Sequence, residues 1–173
     1  VWDDHELANN AWRDGAANHN PPGEGDWHAR RAAAWRAYLE WMPVRESADF
    51  VPRLYRTFRF GGLADLVMLD ARSRRDRQVA ADDVAGISDP RRTMLGPAQE
   101  GWLADQLRES QREGTPWRLL GQQVMFARMT PSGQKVRNAD AWDGYQGARE
   151  RVLDLLEHQR IKDVVILTGD VHS

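Results

Sequence analysis

The chain has 173 residues, 41% hydrophobic and 29% charged, which supports one packed domain and excludes wholesale disorder. Its 24 Lys and Arg against 26 Asp and Glu leave a net charge of -2, a balance that argues against a dedicated nucleic-acid-binding domain. The absence of cysteine excludes a disulfide framework and any thiolate site within these residues, and no apolar run approaches the roughly 20 residues that span a bilayer.

Residues 9–25 are rich in Asn, Gly and Pro and read as a loop, with Asp26 placed to cap the helix that follows. From Trp27 to Met42 the apolar residues Trp27, Ala34, Trp35, Tyr38, Trp41 and Met42 recur at helical spacing, and Pro43 supplies the stop. The Trp35-to-Trp41 stripe reads as core. Leu54 to Phe60 alternates as a strand, Gly61-Gly62 suits a hairpin turn, and Leu63 to Asp70 is apolar enough for a buried strand. A charged loop follows, from Asp70 through Arg72, Arg74 and Arg75 to Arg77. Its arginines suit phosphate oxygens, or surface pairing with Asp70 and Asp76, and the second reading is the simpler.

Residues 79–93 lack a clear period and read as a surface excursion. Pro97 opens a helix carrying Trp102, Leu103, Gln106, Leu107 and Ser110, and Gly114 ends it. Trp117 to Phe126 is one strand, or two broken near Gly121, and residues 128–144 form a polar loop. A helix from about Tyr145 to Gln159 rests on Ala148, Val152, Leu155 and Leu156. A short buried strand, Asp163 to Thr168, then delivers Gly169-Asp170-Val171-His172 just beyond its carboxyl end. A helix followed by such a strand is an α/β pattern, in which ligands sit outside the carboxyl ends of strands.

The densest ligand chemistry lies at the two ends of the sequence, which leads us to expect an internal piece of a longer protein, one partial domain over 1–173 truncated on both sides. In Asp3-Asp4-His5-Glu6, carboxylate and imidazole together suit metals of intermediate hardness. An extended backbone would turn Asp3 and Asp4 to opposite faces, and a loop would relax that. Taken alone, the motif is as well explained by a solvated charged turn. Asp170 and His172 are two apart and share a side if the chain stays extended; Gly169 leaves room for a ligand, and a carboxylate closing a buried strand calls for a cation. A plain turn at Asp170 is the competing reading. Trp142, Tyr145 and Arg149 suit either a substrate pocket or a packing contact with Arg149 in an ion pair. His19 and His28 read as solvated, and His158 as a helix C-terminal residue.

Taken together these segments resemble a known family. Trp2-Asp3-Asp4-His5-Glu6 with Asn9-Asn10, Trp41-Met42-Pro43-Val44-Arg45, Leu54-Tyr55-Arg56, Phe58-Arg59-Phe60-Gly61, Leu69-Asp70-Ala71-Arg72-Ser73, Met94-Leu95-Gly96-Pro97-Ala98-Gln99, Trp142-Asp143-Gly144-Tyr145 with Arg149, and Leu167-Thr168-Gly169-Asp170-Val171-His172-Ser173 follow one another in order. They resemble the PhoD-like alkaline phosphatases, a branch of the calcineurin-like metallophosphoesterases. The resemblance implies an α/β sandwich of two sheets flanked by helices, here incomplete. It also implies metal-dependent hydrolysis of phosphate mono- or diesters by a metal-activated water.

The superfamily's Asn-His step appears in this family as Asp-His. Asp4 is thus the implied metal ligand, and His5 the group that faces substrate. Asp170 and His172 fall in a later ligand motif, and Arg149 is carried as a second catalytic candidate. Further ligands, an Asp, a Cys and a Tyr, belong to motifs that would precede Val1. The resemblance implies two or more metal ions, iron and calcium, with zinc and manganese as alternatives, and an exported enzyme, periplasmic or extracellular. The partner it implies is a phosphate-ester substrate. Two rival readings stand beside it: an acid/base hydrolase using Asp4 or Glu6 with Asp170, whose activity would survive chelation, and a module that binds metal or a partner without turnover.

Overall fold

The computed structural model describes residues 2–44 and 53–170. Its centre is one four-stranded sheet. Strand β1 (Arg56–Phe60) turns back antiparallel into β2 (Ala64–Met68), with Phe58 opposite Leu66. Gly61 takes a φ of 57° in that turn, a left-handed conformation that glycine adopts at the least cost. Strand β3 (Trp117–Val124) lies parallel to β2, and β4 (Val164–Asp170) lies parallel to β3 with Asp170 opposite Val124. The order is β1-β2-β3-β4, with β4 at an edge.

Parallel strands need crossovers, and helices supply them. Helix α4 (Pro97–Arg112) buries Gln99, Leu103, Leu107 and Ser110, and α5 (Gln146–His158) buries Ala148, Arg149 and Val152. These faces pack with Val67, Leu120 and Val124 of the sheet in the main core. Val67, Leu120 and Val124 alternate with Leu66, Leu119 and Gly121 along their strands, so one sheet face is covered by helices. The other face carries Phe58, Phe60, Trp117, Val165 and Leu167, which are 38–56% exposed.

Several expectations are met closely. Asp26 Oδ1 accepts a 2.9 Å hydrogen bond from Ala29 N and caps α2 (Trp27–Trp41). Pro97 opens α4, and Gly114 (φ 74°) ends its last turn. Strand β3 runs unbroken through Gly121. Others need correction. Short helices α1 (Pro21–Glu24) and α3 (Val84–Ser88) interrupt stretches read as loop or excursion, and α3 buries Ile87. The last strand is not buried on both faces: it sits at the sheet edge, runs on to Asp170, and leaves Val165 and Leu167 partly in solvent.

The α2 stripe is only half core, since Trp27 and Trp35 are buried while Trp41 is 85% exposed. What α2 buries is the amino-terminal segment. Trp2 sits edge-on to Trp35 and Tyr38, and Trp27 clusters with Ala8, Ala11 and Ala16. Trp27 Nε1 donates to Arg13 O at 3.1 Å. Helix α2 is thereby a platform for the segment that carries Asp4. His19, expected in solvent, packs at a tilt against Trp27, ring centroids 5.1 Å apart, with its side chain nearly buried.

Candidate functional site at the carboxyl ends of the strands

The amino-terminal segment crosses the carboxyl ends of β2 and β3. Gln123 Nε2 donates to Trp2 O (2.8 Å) and Leu69 O (3.0 Å), and its Oε1 accepts from Ala71 N. Gln99 does the same for the next residue, accepting from Asp70 N and donating to Asp70 O. Two buried glutamines thus supply the backbone hydrogen bonds where the β ladder ends.

Residues 4–7 form a turn closed by Leu7 N donating to Asp4 O at 2.9 Å. The turn relaxes the opposite-face constraint, so Asp3 and Asp4 both reach Arg72. Asp4 is fully buried, and its Oδ2 accepts from Asn10 N at 3.1 Å. His5 and Glu6 are exposed. Glu6 Oε2 accepts from Asp3 N at 2.8 Å and so closes the turn locally.

The loop after β2 is shaped by Asp70, whose Oδ1 accepts from the backbone N–H of Arg72 (3.0 Å) and Ser73 (2.9 Å). That turn sends Arg72 and Arg75 inward, so the surface pairing expected for the cluster does not hold for these two. Both are buried, and both hold Asp140. Arg72 also pairs with Asp3 through Nε, and its Nη2 lies 3.8 Å from Asp4 Oδ1. Gln78 donates to Asp140 Oδ1 and to Asn10 O (2.8 Å). Arg75 donates to Ala11 O and Asp140 O, both at 2.8 Å.

Burial by itself would raise the Asp140 carboxyl, but the charges of Arg75 and Arg72 and the bonds from Arg75 and Gln78 hold it at about 2. Burial would lower Arg72, and Asp140, Asp3 and Asp4 reverse that, so the guanidinium stays charged. Burial pushes Asp3 up, with Arg72 opposing and Asp4 adding to the rise.

Asp170 ends β4, half-buried, two residues beyond Thr168. Gln122 accepts from Trp142 Nε1 (2.9 Å) and donates to Thr168 Oγ1 (3.0 Å), which ties this strand end to β3 and to the turn at Trp142–Tyr145. His172, with Val171 and Ser173, lies outside the described residues, as does Arg45. Arg149 is buried and paired with Asp143 at 2.7 Å, which matches the ion-pair alternative, while its Nη2 has no hydrogen-bond partner. Tyr145 is packed beneath Arg92 and donates to Asp76 O at 2.7 Å.

The donors fit a hard cation in type and place. Asp4 and Asp170 are carboxylates at the same end of the sheet, and carboxylate oxygen suits calcium, manganese and iron. Among the described residues no three His, Asp or Glu side chains converge on one point.

The residue that sequence reasoning missed is Asp140, in a loop read only as polar. Periodicity carries no sign of it. The usable signal was indirect: two arginines following a buried strand need a counter-ion if they turn inward. Gln99 and Gln123 were missed for a similar reason, because a single amide gives no pattern.

The family model for PhoD-like phosphatases matches residues 1–173. Alkaline phosphatase D of Bacillus subtilis (strain 168) is 40% identical over 187 residues, covering 100% of this chain and 30% of that protein. A solved structure of PhoD superposes with a TM-score of 0.83 at 37% identity, over 99% of this chain and 34% of that one. The chain spans about a third of the length of the relatives it matches.

Proposed function

The chain belongs to the PhoD-like phosphatase family, and from that premise we propose that it is part of an enzyme that hydrolyses phosphate esters with the help of bound metal ions. The observation that carries the reading is the buried Asp4, held in a turn across the carboxyl ends of β2 and β3, at the sheet end where β4 delivers Asp170. We take the whole to be one partial domain whose sheet is completed by the rest of the parent protein, and we place the enzyme outside the cytoplasm, in keeping with the family resemblance.

Asp4 and Asp170 would hold metal, with His172 as a further ligand in the same motif. When bound, the metal ions would lower the pKa of water and offset charge on the phosphoryl group. The chain's own residues do the rest. His5 is exposed next to Asp4, and it would meet substrate and donate a hydrogen bond to a phosphoryl oxygen or the leaving group. Arg149 sits deeper. One of its nitrogens is held by Asp143, and Nη2 leaves a donor that a phosphoryl oxygen would satisfy. Glu6 is engaged with Asp3 N, which weighs against its use as a free general base.

The test is nitrophenol release from mono- and bis-nitrophenyl phosphate by the full-length protein, before and after chelation. We expect release that chelator abolishes and added metal restores, with the mono/bis ratio setting the ester class. Release indifferent to exhaustive chelation would overturn the reading in favour of acid/base chemistry. Metal binding without release would leave a non-catalytic module.

A further inference from the structure

We propose that Arg72 is a positioning residue for Asp4: anchored on Asp140, it fixes the direction in which the Asp4 carboxylate meets its cation. The proposal rests on the metal-dependent reading above. Arg72 is 1% exposed and its planar guanidinium is gripped on two sides, Nε by Asp3 and Nη1 by Asp140. A planar fork held at two corners cannot rotate, so the third corner is fixed as well. That corner, Nη2, makes no hydrogen bond and faces Asp4 Oδ1 at 3.8 Å, beyond the roughly 2.7–3.2 Å of a direct N–H···O bond. The other oxygen, Oδ2, is held by Asn10 N.

Both arms return to the same anchor. Arg72 reaches Asp140 directly, and Asn10 reaches it through Gln78, which donates to both Asn10 O and Asp140 Oδ1. One carboxylate therefore sets the positions of the groups beside both oxygens of Asp4. A direct bidentate Arg–Asp pair would compete with a metal for the Asp4 oxygens. At 3.8 Å the guanidinium still attracts and orients the carboxylate without donating a bond to it.

The experiment uses the full-length protein and the variants Arg72→Gln, Arg72→Lys and Asp3→Asn. Metal-free protein is titrated with calcium and with iron, and the ion whose binding Asp4→Asn removes is followed. The melting temperature of the metal-free form, kcat and KM are measured beside it. We expect Arg72→Gln to weaken that ion's affinity by about 10- to 100-fold, the range for residues that orient a metal ligand. We expect kcat to fall, KM to stay within about threefold, and Arg72→Lys to recover part of the loss, since Lys keeps the charge but not the fork. Asp3→Asn, which weakens both the Nε grip and the bond that Asp3 Oδ1 accepts from Asp4 N, gives a loss in the same direction, and Arg72→Lys, which leaves Asp3 in place, decides the question if Arg72→Gln does not fold. A lowered melting temperature with metal affinity unchanged within twofold in the folded variants makes Arg72 purely structural and overturns the proposal. A wild type that binds no ion through Asp4 overturns the metal reading, and this proposal with it.

Discussion

Asp140 shows how one buried residue can organise a site it does not enter. It neutralises Arg72 and Arg75 and binds Gln78, and each of those side chains reaches the amino-terminal segment or the loop that carries it. Removing it would strand two buried guanidiniums. We expect Asp140→Ala to cost the full-length protein about 3–5 kcal/mol, read by denaturant unfolding. The same carboxyl predicts a pH dependence. Its folded value of about 2 lies below the roughly 3.9 of an unfolded Asp, so its contribution is complete above about pH 4 and is lost as pH falls through 2. That amounts to roughly 2–3 kcal/mol, and Asp140→Asn should flatten this part of the acid limb of a stability–pH curve. Asp4, His5 and Asp170 stood out in the sequence as candidates because motif and family resemblance mark them. Asp140 was not, because its role arises only when a distant loop folds onto it.

At the scale of elements, periodicity carried what a helix or strand decides locally. Helix α4 was readable from Pro97 to Gly114 because its buried residues recur every three or four positions and both ends have their own chemistry. Helix α2 misled at Trp41 because an apolar residue on the right stripe is buried only where a neighbour reaches it, and the segment it packs on stops short of that turn. The short helix α3 gave no period at all in five residues. The 139–144 turn holds a further constraint that sequence could not show. A Cβ on Gly144 would stand 2.0 Å from Ala139 O, a contact with backbone that cannot swing aside. Gly144→Ala is expected to destabilise by about 1–3 kcal/mol, in the range of overpacked sites. Because Asp140 and Asp143 share this turn, the variant should also lower metal affinity, measured by the same titration. Unchanged melting and unchanged affinity would show that the turn relaxes freely.

For the molecule as a whole, the sheet has one face under helices and one face of partly exposed aromatic and aliphatic side chains, which is what one half of a two-sheet sandwich presents. The α/β class was legible from alternating strands and helices. The open face was not, because periodicity marks which side chains share a face and not what covers that face. We expect the 173-residue chain produced alone to self-associate in sedimentation and to bind a hydrophobic dye, and Phe58→Lys with Leu167→Lys to relieve both. A monomeric wild-type chain with no dye binding would show that this face tolerates water. The central claim is that the buried carboxylate of Asp4 holds a metal ion needed for phosphate-ester hydrolysis. Its most direct test is bound metal and kcat in the full-length Asp4→Asn protein beside wild type. The account predicts loss of at least one bound ion and a fall in kcat of more than about 100-fold, beyond the range of residues that only orient a ligand, with the fold intact by circular dichroism. Full metal content and near-normal turnover in Asp4→Asn would contradict it.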